Sequence, residues 1–110
     1  MVMLEYLLQN QNDNYVVGIL SATGDHHDLV QAQKFEWLQK HIGVSAFNGP
    51  IIFVSSGVND KKMFAESNTT LIDDTEAVCG AFEGAGGQTI LFSPNRYTLM
   101  EVQELVESLK

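Results

Sequence analysis

Four short apolar runs, separated by longer helix-forming segments, limit most strongly what this chain can fold into. The runs cover residues 16–20, 51–54, 70–72 and 89–92. They lack a clean alternation of apolar and polar residues, which is the pattern of strands buried on both faces of a parallel sheet. Strands that alternate with helices are typical of an α/β fold with crossover helices. We therefore expect one domain over residues 1–110, a Rossmann-like parallel sheet of about four strands with helices on both faces.

Five helical segments fill the rest of the chain. They are predicted over residues 2–8, over 29–41, in a short stretch after Asn59, after Asp74 as far as the glycines at 84–87, and near the C-terminus. The last has an apolar stripe at helical spacing, formed by Leu99, Val102, Val106 and Leu109. A helix that leads straight into a buried parallel strand suggests that a further strand belongs before it.

Charge and composition exclude several classes of function. The chain has 14 acidic and 6 basic residues, a net charge of −8, which argues against binding a nucleic-acid polymer through its phosphates. No apolar run reaches the roughly 20 residues of a membrane-spanning helix, and the first residues do not resemble a signal peptide. The single cysteine, Cys79, forms no internal disulfide, which favours a reducing, cytoplasmic setting. We expect Cys79 to be a small core residue.

Polar side chains follow three of the predicted strands. Ser21 follows the first, Lys61 and Lys62 come a few residues after the second, and Asp73 and Asp74 follow the third. Ligands of open parallel sheets bind beyond the carboxyl ends of the strands. Lysine and serine suit phosphoryl oxygens, and paired carboxylates suit Mg²⁺. The strand ends therefore predict a site for a phosphate and a divalent cation.

The order of these groups resembles motifs two, three and four of the haloacid dehalogenase superfamily of phosphohydrolases. The matching residues are Leu20-Ser21-Ala22, then Lys61 with Phe64-Ala65, then Leu71-Ile72-Asp73-Asp74, with Gly86-Gly87 before Ile90-Leu91-Phe92. Within that superfamily, the motifs are most similar to those of the small 5′-nucleotidase and deoxyribonucleotidase-like group. The resemblance implies a truncated core of that fold and, as substrate, a small phosphomonoester or nucleotide.

The resemblance also implies a role for each site residue. Ser21 would hold the phosphate, and Lys61, with Lys62 as the alternate, would bind the phosphoryl group. Asp73 and Asp74 would hold Mg²⁺. In the segment 34–38, Lys34 resembles a lysine of the helix after motif two, which can approach the substrate.

The first motif of the family, D-x-D-x-[TV], is absent from this sequence. It supplies the aspartate nucleophile, without which no aspartyl-phosphate intermediate can form. Asp13, Asp25, Asp28 and Asp60 do not follow an apolar strand in that arrangement. The chain resembles the family after motif one, and we expect it to be inactive alone. The alternative is a non-catalytic binding or assembly domain derived from the same fold.

The strand order implied by the resemblance places the missing strand at the centre of the sheet. The strands that end near Ser21 and Asp73 could then pair directly, or another chain could fill the gap. We expect direct pairing, with a homodimer burying the extra apolar surface. Structural roles also remain open for the site residues. Asp74 could cap the next helix with Asp73 facing solvent, Lys61 and Lys62 could form a solvated turn, and Ser21 could satisfy loop backbone groups.

Overall fold

The computed structural model describes residues 2–92 and 96–109. The chain divides after Ser55 into two compact units, and each contains one two-stranded parallel sheet. The expected α/β class and parallel strand pairing are therefore confirmed. Within residues 2–92 and 96–109 the strands form two separate ladders, and the single four-stranded sheet is not among them. The expected direct pairing of the strands that end near Ser21 and Asp73 is wrong, because each of them pairs with the strand that follows it in the chain. None of the helices in these ranges is both long and apolar enough to cross a bilayer.

The first unit contains two strands joined by a long crossover helix. Its elements are α1 (Val2–Gln9), β1 (Ile19–Ala22), α2 (His27–His41), a 3₁₀ helix (Val44–Ala46) and β2 (Ile51–Val54). The strands β1 and β2 run parallel, with Ile19 opposite Ile51 and Ser21 opposite Phe53. The most buried apolar side chains come from α1, α2 and the segment before β2, and they are Leu7, Leu38 and Phe47.

Strand β1 begins three residues later than the apolar run at 16–20 predicts. Just before the β1–β2 ladder starts, the backbone at Gly18 passes very close to the backbone at Pro50. A Cβ on Gly18 would overlap Pro50 O. Val16 stays outside the ladder and is 55% exposed. The pairing with β2 then carries the strand through Ala22. Ser21 therefore lies inside β1, on the same face as Ile19 and Phe53, because side chains alternate along a strand.

The Gln11 side chain connects three segments of the first unit. Its Nε2 donates to Leu8 O at 3.1 Å and to Ala46 O at 2.9 Å. Its Oε1 accepts hydrogen bonds from Val17 N at 2.9 Å and Asn48 N at 2.8 Å. Both amide hydrogens and both oxygen lone pairs are thus used. The residue fixes the end of α1 to the segments that precede β1 and β2.

We expect Gln11→Leu to lower the free energy of unfolding by about 2 kcal/mol, because it leaves partly buried backbone groups without a partner. Urea denaturation measures the change. Gln9→Leu is the matched control, since Gln9 is exposed, and such surface changes stay within about 0.5 kcal/mol. Equal effects of the two substitutions would contradict this role of Gln11.

The second unit contains the remaining strands and the larger core. Its elements are α3 (Gly57–Asp60), a 3₁₀ helix (Lys61–Phe64), β3 (Thr70–Asp73), α4 (Glu76–Gly84), β4 (Gln88–Leu91) and α5 (Arg96–Leu109). Strands β3 and β4 run parallel, with Thr70 opposite Gln88. The core includes Leu71, Val78, Cys79, Phe82, Val102 and Val106.

The core of the second unit agrees with the sequence pattern. Val102 and Val106 of the α5 stripe are 0% and 1% exposed, whereas the side chain of Leu109 lies outside the described residues. Cys79 is buried, as expected. Burial, followed by the negative charge of Asp73, raises the pKa of the Cys79 thiol above its ordinary value. The thiol is therefore protonated at neutral pH and poorly reactive.

Candidate functional site

In the first unit, a lysine of α2 reaches the face of β1. Lys34 Nζ donates to Ser21 Oγ at 2.6 Å and to Ala22 O at 2.6 Å. An ammonium group has three hydrogens, so one remains for a further acceptor. In the chain as far as it is described, no carboxylate forms an ion pair with Lys34. Lys34 is therefore a half-buried cation whose charge is not neutralised by a neighbour.

A cavity of about 190 Å³ adjoins this lysine. It lies between the face of β1–β2 and one side of α2, because Lys34, Trp37 and Leu38 follow helical spacing. The lining residues are Ile19, Ser21, Lys34, Trp37, Leu38 and Phe53.

The aromatic residues of α2 are more exposed than a core position would be. Leu38 is buried, but Phe35 is 45% exposed and Trp37 is 48% exposed. The Trp37 ring packs on His41 with the ring centroids 4.7 Å apart. Of these two exposed aromatic residues, Trp37 lines the cavity beside Lys34 and Phe35 does not.

In the second unit, Lys61 and Asp73 form a buried ion pair. The Lys61 Nζ lies 2.6 Å from Asp73 Oδ2, and the two side chains are 11% and 8% exposed. Asp73 Oδ1 also accepts a hydrogen bond from Thr75 N at 3.0 Å. Burial alone would raise the pKa of Asp73, but the hydrogen bonds and the charge of Lys61 outweigh it and lower that pKa. Asp73 is therefore a carboxylate neutralised by one lysine.

A reciprocal cap on α3 precedes Lys61. Ser56 Oγ accepts a hydrogen bond from Asn59 N at 3.2 Å, and Asp60 Oδ2 accepts one from Ser56 N at 2.7 Å. The 3₁₀ helix that begins at Lys61 follows directly. Sequence reasoning missed this cap, although a serine followed by an acidic residue one turn later is its ordinary signal.

The structure separates the two predicted lysines and the two predicted aspartates. Lys61 is 8% exposed and pairs with Asp73. Lys61 therefore does not belong to a solvated turn, and Asp73 does not face solvent. Lys62 and Asp74 are exposed. Asp74 does not cap the next helix, since Thr75 occupies the N-cap position. The Asp74 Oδ1 instead accepts a hydrogen bond from Thr75 Oγ1 at 3.3 Å.

The Mg²⁺ assignment to Asp73 and Asp74 stays a prediction. Among the residues with described positions, no three histidine, cysteine or acidic side chains form a group able to hold a metal ion. Two adjacent carboxylates still suit Mg²⁺, which usually keeps several waters. Both Asp73 oxygens already accept hydrogen bonds, but each has a second lone pair.

Comparison of the chain with protein families, curated proteins and solved structures finds no match. The chemistry open to the site therefore depends on its own side chains. The structure brings Ser21 together with Lys34 in the first unit, and Lys61 together with Asp73 in the second. Only the first pair carries a net positive charge, so it is the better candidate for an anion.

Proposed function

We propose that this chain is a phosphate-binding part of a phosphohydrolase similar to the haloacid dehalogenase superfamily. Its ligand is a small phosphomonoester or nucleotide, whose phosphate contacts Ser21 and Lys34. The observation that carries the proposal is the Lys34 ammonium, 2.6 Å from Ser21 Oγ. Its third hydrogen and the hydroxyl hydrogen of Ser21 are donors that a phosphate oxygen accepts.

The strand pairing supports the same proposal. In the family order, the strand of the first motif lies between the strands of motifs two and four. Without that strand, the order leaves two pairs, and β1–β2 and β3–β4 are the pairs of this chain. We propose that a strand carrying D-x-D, from another segment or from a partner, completes a Rossmann-like sheet and supplies the nucleophile.

The resemblance assigns roles to the site residues of the second unit as well. Lys61 would supply positive charge, and Asp73 and Asp74 would hold Mg²⁺, which would stabilise negative charge on the phosphoryl oxygens. The lowered pKa of Asp73 keeps it ionised for this purpose. The alternative proposal is a binding or assembly domain that retains the anion contact without catalysis.

We expect inorganic phosphate to bind the chain, and Lys34→Met to weaken the binding at least tenfold, since charged hydrogen bonds contribute about 1.5–3 kcal/mol each. Isothermal titration calorimetry measures the affinity. Lys40→Met is the matched control, because Lys40 is an exposed lysine of the same helix. An equal loss in the two variants, or no phosphate binding, would contradict the proposed site.

A Mg²⁺-dependent phosphatase assay tests whether the chain is catalytic on its own. We expect no turnover by the chain alone, since the D-x-D motif is absent from its sequence. Turnover that Lys61→Ala abolishes and Lys62→Ala preserves would reject the non-catalytic alternative.

A further inference from the structure

The cavity beside Lys34 has two chemically different ends. Lys34 and Ser21 provide its polar groups, and its other lining residues are Ile19, Trp37, Leu38 and Phe53. A ligand that carried only a phosphate would satisfy the polar end and leave apolar surface in water. The lining therefore suits a molecule with an anionic group and an apolar body.

The polar end has unused hydrogen-bond donors. Lys34 Nζ donates to Ser21 Oγ and Ala22 O, which leaves one ammonium hydrogen. Ser21 Oγ accepts from Lys34, and within the described ranges its own hydroxyl hydrogen has no acceptor. Two donors and one positive charge thus face the same end of the cavity, the combination that an anionic oxygen requires.

The apolar part of the lining has the composition to receive one aromatic ring. A closed cavity of about 150 Å³ lined by leucine, isoleucine and phenylalanine holds benzene, and the whole of this more open cavity, including its polar part, measures about 190 Å³. Trp37 and Phe53 offer ring faces and edges, which attract another aromatic ring beyond simple burial. Trp37 is held against His41, so little side-chain freedom is lost when a ligand packs on it.

We propose that this cavity binds a small aromatic anion, with the anionic group on Lys34 and Ser21 and the ring against Trp37 and Phe53. The inference rests on the anion contact of the proposed function and adds the chemical class of the organic group. Trp37 is then a specificity-determining residue, which selects aromatic over aliphatic ligands.

The test compares four probes by isothermal titration calorimetry at constant pH: inorganic phosphate, methyl phosphate, phenyl phosphate and benzoate. Phenyl phosphate should bind about tenfold more tightly than methyl phosphate, the upper range for one aromatic contact. Trp37→Leu should remove this preference and leave the affinity for methyl phosphate unchanged. Phe35→Leu is the matched control, because Phe35 is an exposed aromatic of the same helix outside the cavity.

Each outcome has a distinct meaning. Equal affinity for phenyl and methyl phosphate, or an equal effect of Phe35→Leu, overturns the aromatic specificity while the phosphate site stands. Benzoate binding as tight as that of phenyl phosphate supports an aromatic anion and shows no preference for phosphate over carboxylate, which counts against the proposed phosphatase role. No binding of any probe overturns both proposals.

Discussion

Replacing Lys61 with methionine should lower the free energy of unfolding by about 3 kcal/mol, at the lower end of the range for breaking a buried ion pair. The cause is the Asp73 carboxylate, whose side chain is only 8% exposed and would lose its compensating charge. The hydrogen bond from Thr75 N remains, which keeps the loss from being larger. Urea denaturation at pH 7 measures the effect.

Two controls distinguish the ion pair from a general effect of removing a lysine. Lys62→Met, at the exposed neighbouring position, should change stability by less than about 0.5 kcal/mol. The double variant Lys61→Met with Asp73→Asn should recover part of the loss, because no uncompensated charge remains buried. A similar loss in Lys61→Met and Lys62→Met would reject the ion pair as a stabilising contact.

The pH dependence gives a third check on the same pair. Since the pKa of folded Asp73 is lowered, its contribution is complete above the pKa of an unfolded aspartate, 3.8. The contribution is lost as the pH falls through the lower pKa of the folded state. The stability difference between the wild type and Lys61→Met should therefore narrow in acid. A difference that stays constant from pH 7 to pH 3 would show that charge is not its cause.

Replacing Phe82 with alanine should cost about 3–5 kcal/mol, the usual range for a fully buried phenylalanine. Phe82 of α4 is 1% exposed. Its ring also lies against the glycine before β4, where a Cβ on Gly87 would be 2.2 Å from Phe82 Cε2. The substitution leaves a cavity in the core of the second unit, and thermal or urea denaturation measures the loss.

Gly87→Ala provides the partner variant for a double-mutant cycle. Gly87 does not have a positive φ, so alanine there meets the Phe82 ring without backbone strain. In the wild type we expect overpacking to cost about 1–3 kcal/mol. In the Phe82→Ala background the ring is gone and the Ala65 Cβ, at 3.1 Å, is the remaining close neighbour, so Gly87→Ala should cost much less than in the wild type. Additive effects of the two substitutions would show that the close approach is not what requires glycine.

Local patterns were sufficient to predict the fold class and most elements. The apolar run at 51–54 is strand β2 as predicted, and the α5 stripe buries Val102 and Val106. These predictions succeed because short β-branched runs and helical periodicity report burial directly. For the site, the spacing of motifs favoured Lys61 over Lys62 as the phosphoryl ligand, which stays a prediction, and in the structure Lys61 pairs with Asp73.

Contacts between distant segments could not be predicted in the same way. Ser21 lies inside β1 because the pairing with β2 runs from Ile19 to Ala22, and the close approach of Gly18 to Pro50 just before it has no local sequence signal. Gln11 bonds to Ala46, 35 residues away, and no local pattern indicates such a partner. The cavity beside Lys34 likewise depends on Phe53, which the strand register brings opposite Ser21.

The burial of Cys79 has a practical consequence for measuring stability. Cys79 is the only cysteine of the chain and Trp37 the only tryptophan, and they lie in different units. Thiol labelling therefore reports the opening of the second unit, whereas indole emission reports the surroundings of α2 in the first. The native sequence thus carries one intrinsic probe for each unit, and coincidence of the two signals during denaturation is a direct measure of their cooperativity.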